Sequence, residues 1–409
     1  MVWSPRFRRF PGARLTLVRS VTVDTPRVSC TQWSPGRGTL FGLLPSGFAR
    51  FVSAPGHTGR VAAPPSGGRL AALVASGVVA ARFLPIWLAT GALVVVSAGI
   101  APNAIKSTSW AFVLPYMTIL AIAALGQMLV VMHAGIDLST PGVISLGGNL
   151  LVGVSSGSND RLALGILACV GLGVLVGLVN GVLVGILRLN PLIVTLAVGQ
   201  IVLAVAIRYS REVTGQSAVP SSLSSWASEK PLGISSVFWA GAALTLAVAF
   251  LLRYTAPGRR FQAVGANPRA AWMAGLHVRS HVVFAYTAAG TLYGVAAVLL
   301  AGLRISIDPA FGAAYLLAPI AAVVIAGASL SGGLASATST WMAALALTLL
   351  TQMLLILGLS TAMQYIVFGG AIIVGMLISG DRLASVLGRL LRPVDAPAST
   401  RPQATETTS

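Results

Sequence analysis

From Phe83 onward the chain is a succession of apolar runs separated by short polar breaks. Ten runs stand out, at roughly 84–101, 111–132, 139–157, 162–187, 191–208, 235–253, 281–303, 312–327, 334–357 and 362–379. Most approach the ~20 residues that an α-helix needs to cross a hydrocarbon core of about 30 Å. Lipid offers no partner to a free backbone amide, so runs of this length predict helices, which pair their own amides internally. The third and eighth runs are short or glycine-broken and read as half-spans or re-entrant elements. The pattern predicts an all-α fold: a polytopic membrane helix bundle of about 10 transmembrane helices.

Residues 1–82 differ in kind. They are rich in Pro, Gly, Ser and Arg, with no sustained period and no run long enough to span. They read as a basic, disordered cytoplasmic extension without the early apolar stretch of a secretory signal. A translation start downstream of Met1 is the other account of this segment. The expected organisation is therefore an extension over 1–82, a transmembrane domain over 83–380 and a cytoplasmic tail over 381–409.

Composition agrees with lipid as the main solvent. Of 409 residues, 56% are apolar and only 9% charged, against about 25% charged in soluble domains. An ordinary soluble enzyme is excluded. The charge is lopsided, with 27 Lys and Arg against 9 Asp and Glu, a net of +18. In a soluble protein that balance would point to nucleic acid. Here the excess lies in the ends and loops, as cytoplasmic anchoring requires, and no nucleic-acid partner is expected. Loop 254–280 carries Arg259, Arg260, Arg269 and Arg279, follows Arg253 and holds no acid, so it is read as cytoplasmic. Six runs precede it and four follow, which puts both termini in the cytoplasm. Arg188 agrees. Loop 209–234, with Arg211, Glu212, Glu229 and Lys230 balanced in sign, falls outside.

Several chemistries lack their residues. Cys30 and Cys169 stand far apart in unlike contexts, and the four histidines form no metal-binding spacing, so no metal site is expected. Neither Lys106 nor Lys230 follows a phosphate-cradling glycine loop, so ATP would have to be hydrolysed on a partner chain. Gly153-Val154-Ser155-Ser156-Gly157 matches a nucleophile-elbow string, but it ends an apolar run and lacks the required strand before it. No residue is assigned a catalytic role.

Three features carry more. Gly173, Gly177, Gly181 and Gly185 recur every four residues and form a bare helix stripe suited to close packing. In Gly135-Ile136-Asp137-Leu138-Ser139, Asp137 is the only acid between residues 83 and 159. It reads either as an ionisable group with a functional task or as a helix cap, with Asp137 or Ser139 supplying the oxygen. In the Arg-rich loop, Asn267 suits a helix cap and Pro268 its first turn, with Gly275 as the stop. The resulting short helix, with small Ala270, Ala271 and Ala274, suits either docking into a partner's groove or lying against the membrane.

Four stretches together resemble the permease subunits of ribose-, xylose- and galactoside-type ATP-binding-cassette sugar importers, over about residues 84–379. They are Ala124-Leu125-Gly126-Gln127 with Gly135–Ser139; Asn180-Gly181 with Asn190-Pro191-Leu192-Ile193-Val194-Thr195-Leu196; Gly258-Arg259-Arg260 with Gly265-Ala266-Asn267-Pro268-Arg269, Ala270-Ala271, Met273 and Gly275; and Ile320–Gly333. The family usually has a glycine where Ala134 stands and Val-Gly where Thr140-Pro141 stands. The resemblance implies a multi-pass permease of the cell membrane, pairing as a homodimer or heterodimer. Its implied partners are an ATPase subunit and an extracytoplasmic sugar-binding protein. It also implies that residues 265–275 form the coupling helix to the ATPase, that Gly135–Ser139 lie near the gate, and that ATP and Mg act on the partner, with no cofactor on this chain. The nearest rival is a permease for branched-chain amino acids or nucleosides. An ion-coupled secondary transporter would call for mid-span carboxylates, and none is evident.

Overall fold

A computed structural model describes residues 67–214, 218–304 and 306–379. The expected extension up to residue 66 and the tail from 381 lie outside the described residues. Among the described residues every regular element is helical. Seven helical segments are long and apolar enough to cross a membrane. Each of the ten apolar runs lies on a helix, and the third and eighth are indeed the short ones.

The first helix, α1 (Gly67–Ile100), starts earlier than expected, inside the segment read as an extension. Its first turns are rich in Ala and Leu, which are sound helix formers. α2 (Ser107–Val131) is the central element: every residue from Met117 to Val131 is buried. An all-round apolar helix of this kind belongs in the middle of a bundle. The 16-residue α3 (Thr140–Ser155) packs between α4 (Leu162–Gly181), which runs on as a π-helical turn to Ile186, and α5 (Pro191–Tyr209). α5 is started by Asn190, whose side chain accepts the Leu192 amide at 3.0 Å, and by Pro191. After the short α6 (Ser221–Ser228) comes α7 (Ser236–Tyr254).

The Arg-rich loop holds two helices, where one was expected. α8 (Ala256–Ala266) precedes α9 (Pro268–Met273). α8 begins because Thr255 accepts the Gly258 amide at 3.2 Å with Pro257 in the first turn, and because Phe261 and Val264 give it a face to bury. The remaining elements are α10 (Val278–Gly302), α11 (Ala318–Ile325), α12 (Ala337–Ile356) and α13 (Thr361–Ser379).

The glycine stripe of α4 meets α10 backbone to backbone. A Cβ at Gly173 would strike the Gly290 carbonyl, one at Gly177 the Tyr286 carbonyl, and one at Gly181 the Val283 carbonyl at 2.8 Å. Gly290 and Gly294 answer from α10, so both helices bring bare backbone to the seam. Between helices in lipid, such close van der Waals packing is a main source of association.

The ends of the bundle differ in charge. Gly185 lies 3.1 Å from the Arg279 carbonyl, measured to its would-be Cβ, so Arg188 and the Arg-rich loop share one end. At the other end Asn159 accepts hydrogen bonds from the Ser222 amide and hydroxyl at 3.0 and 2.7 Å, joining loop 156–161 to α6. Asp160, Glu212, Glu229 and Asp308 all belong to connections at that second end. Among the described residues the Arg-rich end holds one acid, Asp137, which is buried.

Candidate functional site

The loop joining α2 to α3, residues 132–139, lies at the Arg-rich end and is the meeting point of the molecule. Asp137 is 1% exposed. Its Oδ1 accepts the Ser139 amide at 2.9 Å and the Ser139 hydroxyl at 2.6 Å. The Ser139 hydroxyl in turn accepts from Asn180 Nδ2 of α4 at 2.9 Å. The capping expectation is therefore corrected. Ser139 occupies the cap position of α3 but makes no side-chain cap bond, because its hydroxyl is held by Asp137 and Asn180. Asp137 makes a local turn with Ser139 and leaves the amides of the first turn alone.

The loop is tied on every side. Gln127 of α2, with its amide nitrogen toward the loop, donates to the Asp137 carbonyl at 3.0 Å and to the Tyr293 hydroxyl at 3.2 Å, and its oxygen accepts the Asp137 amide at 3.2 Å. Thr195 of α5 accepts the Leu138 amide at 3.0 Å, and its hydroxyl proton is shared between the Pro191 carbonyl at 2.8 Å and the Ile136 carbonyl at 3.2 Å. A Cβ at Gly199 would sit 2.8 Å from the Ser139 Cα, and the Gly135 position is walled by the Tyr286 hydroxyl. Asp137 Oδ2, Asn180 Oδ1 and the Tyr286 hydroxyl are buried with no hydrogen-bond partner among the described residues.

The Arg-rich segment reaches the same loop. At Gly265 the end of α8 lies directly on the Met132 carbonyl, with no room for a side chain. That carbonyl accepts the Gly333 amide at 2.9 Å. Gly332, at φ +93°, and Gly333, at φ +96°, adopt left-handed backbone that suits glycine and lets the α11–α12 loop approach. Gly135–Ser139, Asn180 with Thr195, Gly265 and Gly332–Gly333 come from four separated stretches, and all converge on loop 132–139.

His133 sits at the mouth of this arrangement, just beyond α2. Its ring stands edge-on to Phe261 of α8, 4.3 Å between centroids. Burial pushes its pKa down to about 4.

α9 stands away from the body. Asn267 accepts the Ala270 amide at 3.1 Å. Gly275, at φ +82°, ends the turn, with the Leu276 amide returning to the Ala271 carbonyl at 3.0 Å. Ala266, Arg269 and Ala270 are exposed, whereas Ala271 is buried and faces the chain. The outward residues are Trp272, 72% exposed, and Met273, 82% exposed. Sequence reasoning passed over Trp272, although an aromatic residue amid small ones on an exposed helix was the available signal. Gln127, Asn180 and Thr195 belong to the stretches that carry the family resemblance; their convergence on one loop was out of reach without the fold.

The model of the family described as "branched-chain amino acid transport system / permease component" matches residues 109–376. Among curated proteins the chain is similar to the fructose import permease protein of Rhizobium meliloti, 31% identical over 208 residues, covering 49% of this chain and 58% of that one. It is 28% identical to the ribose import permease protein of Escherichia coli strain K12 over 223 residues, 54% of this chain and 69% of that one. It is 31% identical to the galactofuranose transporter permease protein of the same strain over 185 residues, 44% and 52% of the two chains. No solved structure matches. With its helices, its membrane-length spans and a match across most of its described residues, the chain belongs to the branched-chain amino acid transport system / permease component family.

Proposed function

We propose that this chain is the membrane-spanning subunit of an ATP-driven importer for a small carbohydrate. The observation that carries the reading is mechanical. An exposed helix, α9, is joined through one residue, Asn267, to α8, and the end of α8 is seated at Gly265 on the loop that α2, α3, α4, α5 and α10 all contact. A push on α9 reaches loop 132–139 through backbone, with no flexible side chain between.

In this reading Trp272 and Met273 dock on a cytoplasmic ATPase, which carries ATP and Mg, while this chain carries no cofactor. Two permease chains, alike or paralogous, form the path, and an extracytoplasmic binding protein delivers the sugar. ATP binding favours one conformer and its hydrolysis the other, and each conformer sets loop 132–139 differently. The orphaned oxygens of Asp137, Asn180 and Tyr286 support this, because a buried polar network left partly unsatisfied in one conformer gains by finding partners in another. Neutral solute suits a chain with so few buried charges, and the relatives named for fructose, ribose and galactofuranose support a sugar. The family description favours a branched-chain amino acid as the second reading.

The test is co-purification with the ATPase of its own gene cluster. Wild type should retain the ATPase, and Trp272→Asp with Met273→Asp should lose it while the permease stays monodisperse. Retention by the double variant would move the docking surface off α9, and an ATPase that never binds would end the importer reading. Uptake of labelled ribose and leucine in cells carrying the whole system separates the two substrate classes.

A further inference from the structure

An open groove of about 1370 Å³ lies between α7, α8 and the first half of α10. It exceeds the roughly 300–1,000 Å³ of small-molecule sites. Its wall is apolar and open to the outside of the bundle, with Leu251 and Phe284 more than half exposed and Leu292 buried behind them. Its mouth is polar and basic, formed by Arg260, His277, Ser280 and His281.

Its length is informative. The groove follows α10 from His277 to Leu292, about 22 Å at 1.5 Å per residue. One leaflet, half of a bilayer of 40–45 Å with its headgroups, is about 20–22 Å deep. The mouth with Arg260 therefore falls at headgroup depth and the apolar wall at acyl-chain depth.

The mouth has one cation, Arg260, and His281 turns its Nδ1 to the His277 carbonyl at 2.9 Å, which leaves its Nε2 for a ligand. Arg259 is engaged, donating to the Tyr254 carbonyl at 3.0 Å and so closing the end of α7. Arg260, its neighbour, has no hydrogen-bond or ion-pair partner among the described residues. The first turn of α10 has no side-chain cap, so its amides and the positive end of a 25-residue helix also face the mouth. From Lys230 through Ile307 the sequence contains no acid.

We infer that this groove is a binding site for one anionic phospholipid, its phosphate held by Arg260, His281 and the start of α10, and its acyl chains lying along Leu251, Phe284 and Leu292. Charge complementarity favours an anionic headgroup over two other occupants. The chain's own residues 1–66 carry 9 Arg and one acid and would be repelled by the mouth. A second copy lying parallel in the same membrane presents its exposed acids, among the described residues, at the opposite end. A bound lipid would brace α8 against α10, the two helices that hold α9 between them.

The experiment is native mass spectrometry of the full chain in mild detergent, after incubation with equal amounts of phosphatidylglycerol and phosphatidylcholine of matched acyl chains. Wild type should retain one phosphatidylglycerol per chain, at least fivefold over phosphatidylcholine. Arg260→Gln with His281→Gln should reduce that retention at least fivefold, and Arg188→Gln, the same charge loss at the same end but off the groove, should leave it unchanged. Leu251→Trp, which fills the groove and keeps every charge, should lower retention independently. Equal retention of the two lipids, or retention unaffected by the double variant and by Leu251→Trp, would overturn the site. So would efficient disulfide formation between two chains through Leu251→Cys in a background lacking Cys30 and Cys169, because the groove would then face another copy.

Discussion

Ala134 stands where the resembling permeases usually carry glycine, and its φ of +57° shows what that glycine is for. The chain must turn left-handed between α2 and the Asp137 turn, a conformation that costs a residue with a Cβ roughly 1–2 kcal/mol. Ala134→Gly removes the strain but frees the unfolded chain, so a net gain of about 0.5–1 kcal/mol is expected. Thermal exposure of the buried Cys169 thiol to a fluorescent maleimide, in a Cys30→Ser background, measures it; a lower midpoint would contradict the strain argument. His133 offers a pH test. Its Nδ1 faces the Leu129 carbonyl at 3.3 Å, and its Nε2 is buried without a partner. With the folded pKa near 4, below the ordinary 6.5, protonation favours the unfolded chain. The stability is present above about pH 6.5 and is lost as pH falls toward 4. Between pH 6.5 and 5 the loss from this residue is at most about 2 kcal/mol. The same thiol-exposure midpoint at the two pH values should fall in wild type, and His133→Gln should flatten the slope.

At the scale of elements, the α4–α10 seam separates glycines that pack from glycines that do not. Gly177 meets the α10 backbone, whereas a Cβ at Gly171 on the same helix would meet nothing within 4 Å. Gly177→Ala should cost about 1–3 kcal/mol, the usual range for overpacking a tight contact. Gly171→Ala should be neutral or slightly stabilising, since alanine is the better helix former. Equal midpoints for the two variants would mean that the seam yields. The four-residue spacing made the stripe legible. Its partner, α10, and the answering Gly290 and Gly294 depended on which helix the fold laid against it. The second helix in the Arg-rich loop was missed for a related reason: α8 is short, and its apolar face, Phe261 and Val264, is evident only once there is a surface under it.

For the whole molecule, the chain of backbone contacts from α9 to loop 132–139 makes its own prediction. Gly265→Val would wedge α8 away from Met132 while leaving Trp272 and Met273 untouched. In cells carrying the complete system, uptake should fall at least tenfold while the ATPase still co-purifies. Loss of both together would mean that Gly265 serves only to hold the fold. Full uptake would show that the push travels by another route.

The apolar runs by themselves determined that this is a membrane bundle, where its ten apolar helices lie to within their ends, and which two are the short ones, because the solvent of each segment is written in its composition. A local signal also determined the helix start at Asn267-Pro268, since a cap needs only neighbouring residues. Only the tertiary structure decided that Gln127, Asp137, Ser139, Asn180, Thr195, Gly265 and Gly333 share one loop. These residues come from segments up to two hundred positions apart, and contacts between them arise from helix packing, which no local pattern encodes. It also decided that Asp137 holds Ser139 instead of capping α3, that Ala271 faces inward while Trp272 faces out, and that Arg260 stands unpaired, among the described residues, at the mouth of a groove. Burial and orientation belong to the assembled bundle, because a residue is inside or outside only with respect to its neighbours.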